Sequence, residues 1–219
     1  MGVYTIVMKY SFITLTILFT ALIAISSAQA RPVSYPGGWT AMLMNDGDAN
    51  SSHIHYSPTA KYSVGWKHEY FRDPSVHADT AQLNYLLKRW NKQSEQANLY
   101  FKSGVGVAYK SNEFEPAAFA GLAADWETRR YFIGYENRFF YADELQSFAK
   151  HQARIGIAPY IGDYGDLHTW LMLQADYDAG EEHKFTLTPL VRLFKGSSLV
   201  EGGYNIKDET ILFNFVQRF

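Results

Sequence analysis

From about residue 37 to the last residue, the chain alternates with period two. Phe185, Leu187, Pro189, Val191 and Leu193 fall on one face of an extended segment, and Lys184, Thr186, Thr188 and Arg192 on the other; only Leu190 breaks the pattern. The same sorting separates Leu167, Leu171, Leu173, Ala175 and Tyr177 from His168, Trp170, Met172, Gln174 and Asp176. It separates Tyr131, Ile133, Tyr135, Phe139 and Tyr141 from Arg130, Glu136 and Arg138. Successive side chains of a strand point to opposite faces, so these are strands with one apolar and one polar face. Turn-forming groups such as Asn45 to Asp48, Arg72 to Pro74, Asp178 to Gly180 and Gly196-Ser197 punctuate them. The spacing predicts about twelve strands, near 37–46, 50–57, 60–71, 79–91, 98–110, 116–127, 129–141, 147–161, 166–178, 183–195, 198–206 and 210–219. No linker or internal repeat interrupts them, so residues 31–219 read as one domain.

An alternating strand set either buries its apolar face in a sandwich or turns it to lipid in a barrel with a wet lumen. Three features favour the all-β, antiparallel, up-and-down transmembrane barrel. The polar face carries both signs of charge, including Lys67, Glu69, Lys88, Lys102, Glu136, Arg138, Arg154, Arg192 and Glu201, which is costly in a packed core. The strands are about 10–14 residues long, enough for a tilted span of ~9–11 residues plus rims. Aromatics gather at strand ends, as in Tyr70-Phe71 and Phe139-Phe140-Tyr141, where interfacial girdles lie. Twelve strands return both termini to one side; ten remain if 37–57 forms a plug or cap instead of a hairpin.

Residues 1–30 hold no acid and a single Lys9, then an apolar run from Ser11 to Ile25, then Ser26-Ser27-Ala28-Gln29-Ala30. That order predicts a secretory signal peptide cut after Ala30. Cys is absent, which excludes disulfides, cysteine zinc sites, thiol nucleophiles and a lipidated N-terminal cysteine. A formal charge of -2 excludes a strongly basic nucleic-acid binder.

The final stretch is Thr210-Ile-Leu-Phe-Asn-Phe-Val-Gln-Arg-Phe219, with Ile211, Phe213, Phe215 and Phe219 on one face. It resembles the C-terminal signature of bacterial outer-membrane β-barrel proteins, with Gln217 where an apolar residue is usual. The resemblance implies a Gram-negative outer membrane, contact with its lipids, and recognition of Ile211 to Phe219 by its assembly machinery.

For function, the sharpest cluster is the first hairpin, Ala41 to His55. Met42 and Met44 share one face of its first strand, and His53 and His55 one face of its second. A turn centred on Asp48-Ala49 sets Met44 across from His53 and Met42 across from His55. Thioether plus imidazole is a soft donor set suited to Cu(I) or Ag(I). The first reading is a non-enzymatic barrel that binds or passes a small solute or soft metal ion. A structural barrel with a filled lumen stands beside it. The alternative is a lipid hydrolase: His55-Tyr56-Ser57 with the later Glu69 resembles the His-x-Ser and Glu spacing of the lipid A deacylase family. Pro58 after the Ser, and missing flanking Asn and Gly, depart from that family. The Gly-flanked His and Ser of the outer-membrane phospholipase are not found. Asp163, Asp166 and His168 match the carboxylate and Asp-His needs of the omptin proteases only loosely.

Overall fold

The computed structural model describes residues 32–163, 165–180 and 184–219. Residues 1–30, where the signal peptide is expected, Arg31 and His183 lie outside the described residues. Twelve strands follow in order: β1 (Gly38–Asn45), β2 (Ala49–Thr59), β3 (Tyr62–Phe71), β4 (Val76–Asn91), β5 (Glu95–Lys110), β6 (Glu113–Thr128), β7 (Tyr131–Ala142), β8 (Gln146–Ile157), β9 (His168–Asp178), β10 (Phe185–Lys195), β11 (Ser198–Asn205) and β12 (Thr210–Arg218). Each pairs antiparallel with its chain neighbours, and β1 pairs with β12, so the sheet closes into an up-and-down barrel. The seam is sealed at its end by two backbone bonds, Trp39 N–H to the Phe219 carbonyl at 2.7 Å and Phe219 N–H to the Trp39 carbonyl at 3.1 Å. Closure removes the unpaired edges that an open sheet presents. The ten-strand alternative is not adopted, because β1 and β2 form a full hairpin. β8 stops at Ile157, short of the expected 161. Pro159 follows shortly, and it has no N–H to offer a ladder.

The alternation sorts side chains as expected. Leu43, Ile54, Val64, Leu83, Val105, Ile133, Ile155 and Leu171 face outward and are exposed, forming an aliphatic band. Trp39, Trp90, Tyr131 and Phe219 border it at the end holding the termini; Phe114, Tyr141, Phe185 and Tyr204 border it at the far end. Ile211 and Phe213 also face outward, while Leu212, Asn214, Val216 and Arg218 are buried inside. One inward assignment is corrected. The β4–β5 register shifts between Leu86 and Lys88, a bulge that inserts one residue and flips the parity beyond it. Lys88 therefore faces out, and Arg89 turns in to donate to Asn98 Oδ1 at 2.7 Å.

Candidate functional site

The lumen holds two cavities, one of about 600 Å³ toward the far end and one of about 750 Å³ toward the termini. Of the residues lining them, only Arg192 and Leu199 are shared. Pro32 lines the far chamber, and Val33, Ser34, Tyr35 and Pro36 line the terminal one, so the segment before β1 sits inside the barrel between them. It is well anchored. Ser34 N–H donates to Ser57 Oγ at 3.0 Å, Ser63 Oγ–H donates to the Pro32 carbonyl at 2.8 Å, and Gly37 N–H donates to the Ser57 carbonyl at 2.7 Å. Asn84 Nδ2 donates to Ser63 Oγ at 3.0 Å and holds that hydroxyl in place. Val33 is 3 % exposed and packs with Leu86 and Tyr100. Sequence periodicity carries no trace of this partition, because residues 32–36 have neither strand alternation nor charge.

In the far chamber the four soft donors share the lumenal wall. Their pairing differs from the expected one. Met42 faces His53, Thr40 faces His55, and Met44 faces Ser51. The turn is the reason. Asp46 Oδ1 accepts N–H bonds from Asp48 and Ala49, at 3.1 and 2.8 Å, and Gly47 takes φ +93. This Asx-type turn centres the hairpin on Gly47-Asp48, one residue earlier than expected, which slides the ladder by two and leaves every face unchanged. His53 bonds Ser51 Oγ through Nε2 at 3.0 Å. His55 is 2 % exposed, and neither ring nitrogen has a hydrogen-bond partner. Gly65 lies opposite His55, and a side chain there would collide with the Ile54 carbonyl and with His55 itself. A glycine at this position lets β2 and β3 close around the ring.

The central charges of the far chamber are held in ion pairs, while Arg72 at its mouth donates to the Gly47 carbonyl and to Asn45 and Asn50 Oδ1, at 3.1 and 2.8 Å. Glu69 accepts from Arg138, at 2.6 Å on Oε1 and again on Oε2, and from Lys67 at 2.7 Å. Arg138 lies over the Phe119 ring, 4.6 Å from its centroid. Lys102 meets both oxygens of Glu136 at 2.7 Å. Glu201 takes Arg154 at 3.1 Å, Arg192 at 2.6 Å and Asn214 Nδ2 at 2.7 Å. Eight acidic and eight basic residues line this chamber, so no net field of either sign fills it.

The far mouth is crossed by the β1–β2 turn. Lys150, on the opposite wall, reaches Asp46 at 3.4 Å and Asp48 at 3.0 Å, and Lys184 joins Asp48 at 3.4 Å to Asp208 at 3.0 Å. Burial alone would raise the Asp48 carboxyl; Lys150 and Lys184 outweigh it and hold it below its ordinary value. Burial alone would lower the Lys184 ammonium; Asp208 and Asp48 outweigh it and hold it above its ordinary value.

The hydrolase set is not brought together. His55 bonds to neither Ser57 nor Glu69, Ser57 Oγ accepts from the Ser34 backbone, and Glu69 is engaged by Arg138 and Lys67. Asp163 and Asp166 close a turn on each other, with Asp163 N–H donating to Asp166 Oδ2 at 2.9 Å. His68 and His77 face outward in a network with Asp79 and Tyr109, and His151 faces outward beside Tyr135. Among the described residues no group of three or more His, Asp or Glu is placed to hold a metal ion.

No protein-family model matches this sequence, and no curated protein does. Solved structures of similar architecture include a NanC porin, at 9% identity and TM-score 0.44, over 83% of this chain and 97% of that one. OccAB4 of Acinetobacter baumannii gives 10% identity and TM-score 0.41, over 82% and 57%. The translocator domain of the autotransporter NalP from Neisseria meningitidis gives 8% and 0.38, over 96% and 93%. All three are bacterial outer-membrane barrels.

Proposed function

We propose that this chain is a Gram-negative outer-membrane barrel, exported by a signal peptide cut after Ala30, whose far chamber binds a soft monovalent metal ion, Cu(I) or Ag(I). Met42, Met44, His53 and His55 are the donors. The observation that carries this reading is the buried His55 imidazole, whose two nitrogens have no partner, on the wall where Met42 faces His53. Directly opposed residues in a ladder have Cβ atoms about 4.5–5.5 Å apart, so one ion can touch both members of such a pair. A buried, unsatisfied polar group costs about 1–3 kcal/mol, and coordination offsets that cost. The neighbouring charges Lys67, Glu69, Arg138, Lys102 and Glu136 are already paired with one another and leave the soft donors as the open chemistry beside them. The apolar outer band supports contact with membrane lipid, and Ile211 to Phe219 is the segment offered to the assembly machinery.

The test is competition for Cu(I) against a chromophoric chelator, with Zn(II) as control, on the refolded barrel. Tight, soft-selective binding that disappears in His53→Ala/His55→Ala and weakens in Met42→Leu/Met44→Leu supports the site. Binding indifferent to both variants removes it.

A further inference from the structure

The terminal chamber differs from the far one in charge, and the difference points to a ligand. Arg89, Lys92, Arg129, Arg192 and Arg218 line it, against two carboxylates, Glu95 and Glu127, with His168 also on the wall. Glu95 is bonded to Lys92 at 2.5 Å and to Trp126 Nε1 at 3.0 Å, so that carboxylate is already neutralised. Arg192 shares Glu201 with Arg154, two guanidiniums on one carboxylate, and this trio keeps one positive charge at the boundary between the chambers. The bonds of Arg89 go to neutral groups, Asn98 Oδ1 at 2.7 Å and the Tyr100 hydroxyl at 3.5 Å; the nearest acid on that chain of bonds, Asp125, lies beyond Asn98 and lines the far chamber. Arg129 donates to the Gly162 carbonyl at 3.1 Å, again a neutral acceptor. Beside these guanidiniums stand the rings of Trp170 and Phe194.

We propose that the terminal chamber is a binding site for a small organic oxyanion, a carboxylate or phosphate carried on a flat or apolar body. Arg89 and Arg129 take the oxyanion, helped by the excess charge at Arg192, and Trp170 and Phe194 take the body. A positive cavity with low-dielectric walls focuses its field on an entering anion. A guanidinium offers several N–H donors in one plane, so it can bind an oxyanion and keep a neutral partner. The segment Pro32 to Pro36 forms the floor, so the anion is held at this end and does not enter the balanced far chamber.

The experiment is calorimetric titration of the refolded full barrel in detergent with phthalate, inorganic phosphate and choline, at low and high KCl. Phthalate is expected to bind, to weaken as salt rises, and to lose about tenfold or more in Arg89→Gln/Arg129→Gln; choline gives no binding heat. Heat-modifiable gel mobility confirms that the variant is folded, and the exposed single change Arg129→Gln, with a smaller loss, serves if it is not. No phthalate heat, or equal affinity in the folded variants, overturns the site. Equal affinity for phthalate and inorganic phosphate overturns the role of Trp170 and Phe194. Met42→Leu or His53→Ala leaves phthalate binding unchanged, so failure of the soft-metal reading is told apart from failure here.

Discussion

The far and terminal chambers belong to one lumen, yet they are built on opposite rules. In the far chamber the central charges meet counter-charges, some of them from across the barrel; Arg138 and Glu69 stand 69 residues apart in sequence. What stays open there is neutral and soft, Met42, Met44 and His55. In the terminal chamber the guanidiniums outnumber the carboxylates, and two of them, Arg89 and Arg129, lean on neutral amide, hydroxyl and carbonyl oxygens. One lumen can therefore balance its charges along one stretch and leave an excess of one sign along another, and the total charge of the chain does not show the difference.

The sharpest way to break this comparison is to remove one charged side chain from each chamber's bonding pattern. Glu69→Ala leaves Arg138 and Lys67 buried without their counter-ion, and stability to urea in lipid vesicles should fall by about 3–5 kcal/mol. Arg129→Ala, which breaks a contact at the exposed terminal mouth, should change it by no more than ~1 kcal/mol. Equal losses would erase the distinction. Next in size is removal of residues 32–36. It uncovers Leu86 and Tyr100, losing the burial of Val33, worth about 1.5–3 kcal/mol, and it joins the two chambers. Single-channel conductance should rise severalfold in planar bilayers; unchanged conductance would mean that this segment divides nothing. The smallest effect is at the far mouth. The lowered Asp48 carboxyl contributes its full stabilisation above its ordinary pKa and loses it as pH falls through the lowered value. The raised Lys184 contributes fully below its ordinary pKa and loses it as pH rises through the raised value. The turn thus stays bridged through the neutral range and is released in acid as Asp48 gains its proton or in base as Lys184 loses its own. Asp48→Asn should open the mouth at neutral pH, read as faster solute entry, while global stability moves by no more than ~1 kcal/mol because these pairs are partly exposed.

The barrel was legible in the sequence because period two is a local property that each strand states alone. Phe185 to Leu193 needs no partner to show which face is apolar. What failed was whatever depends on a single inserted residue or on the far wall. The bulge after Leu86 leaves no mark in composition, since Leu86 and Leu87 suit either face, and so Lys88 was placed inward where Arg89 stands. The hairpin ladder lies two residues from the register that spacing predicts because Asp46 centres the turn through its side chain. The faces of Met42, Met44, His53 and His55 survived, since a slip of two preserves parity. The Arg138–Glu69 bond and the partition at Pro32–Pro36 are matters of long-range closure, and no spacing along the chain encodes them.

The seam between β1 and β12 has a consequence in time. Thr40 is paired with Arg218, and Trp39 exchanges backbone bonds with Phe219. The ladder that completes the cylinder thus joins the two elements farthest apart along the described chain, and loop-closure entropy must be met before that contact gives anything back. Until then, both outer strands are open templates for any other strand nearby. The molecule spends its youth as a sticky sheet. Those two borders stay open until they meet.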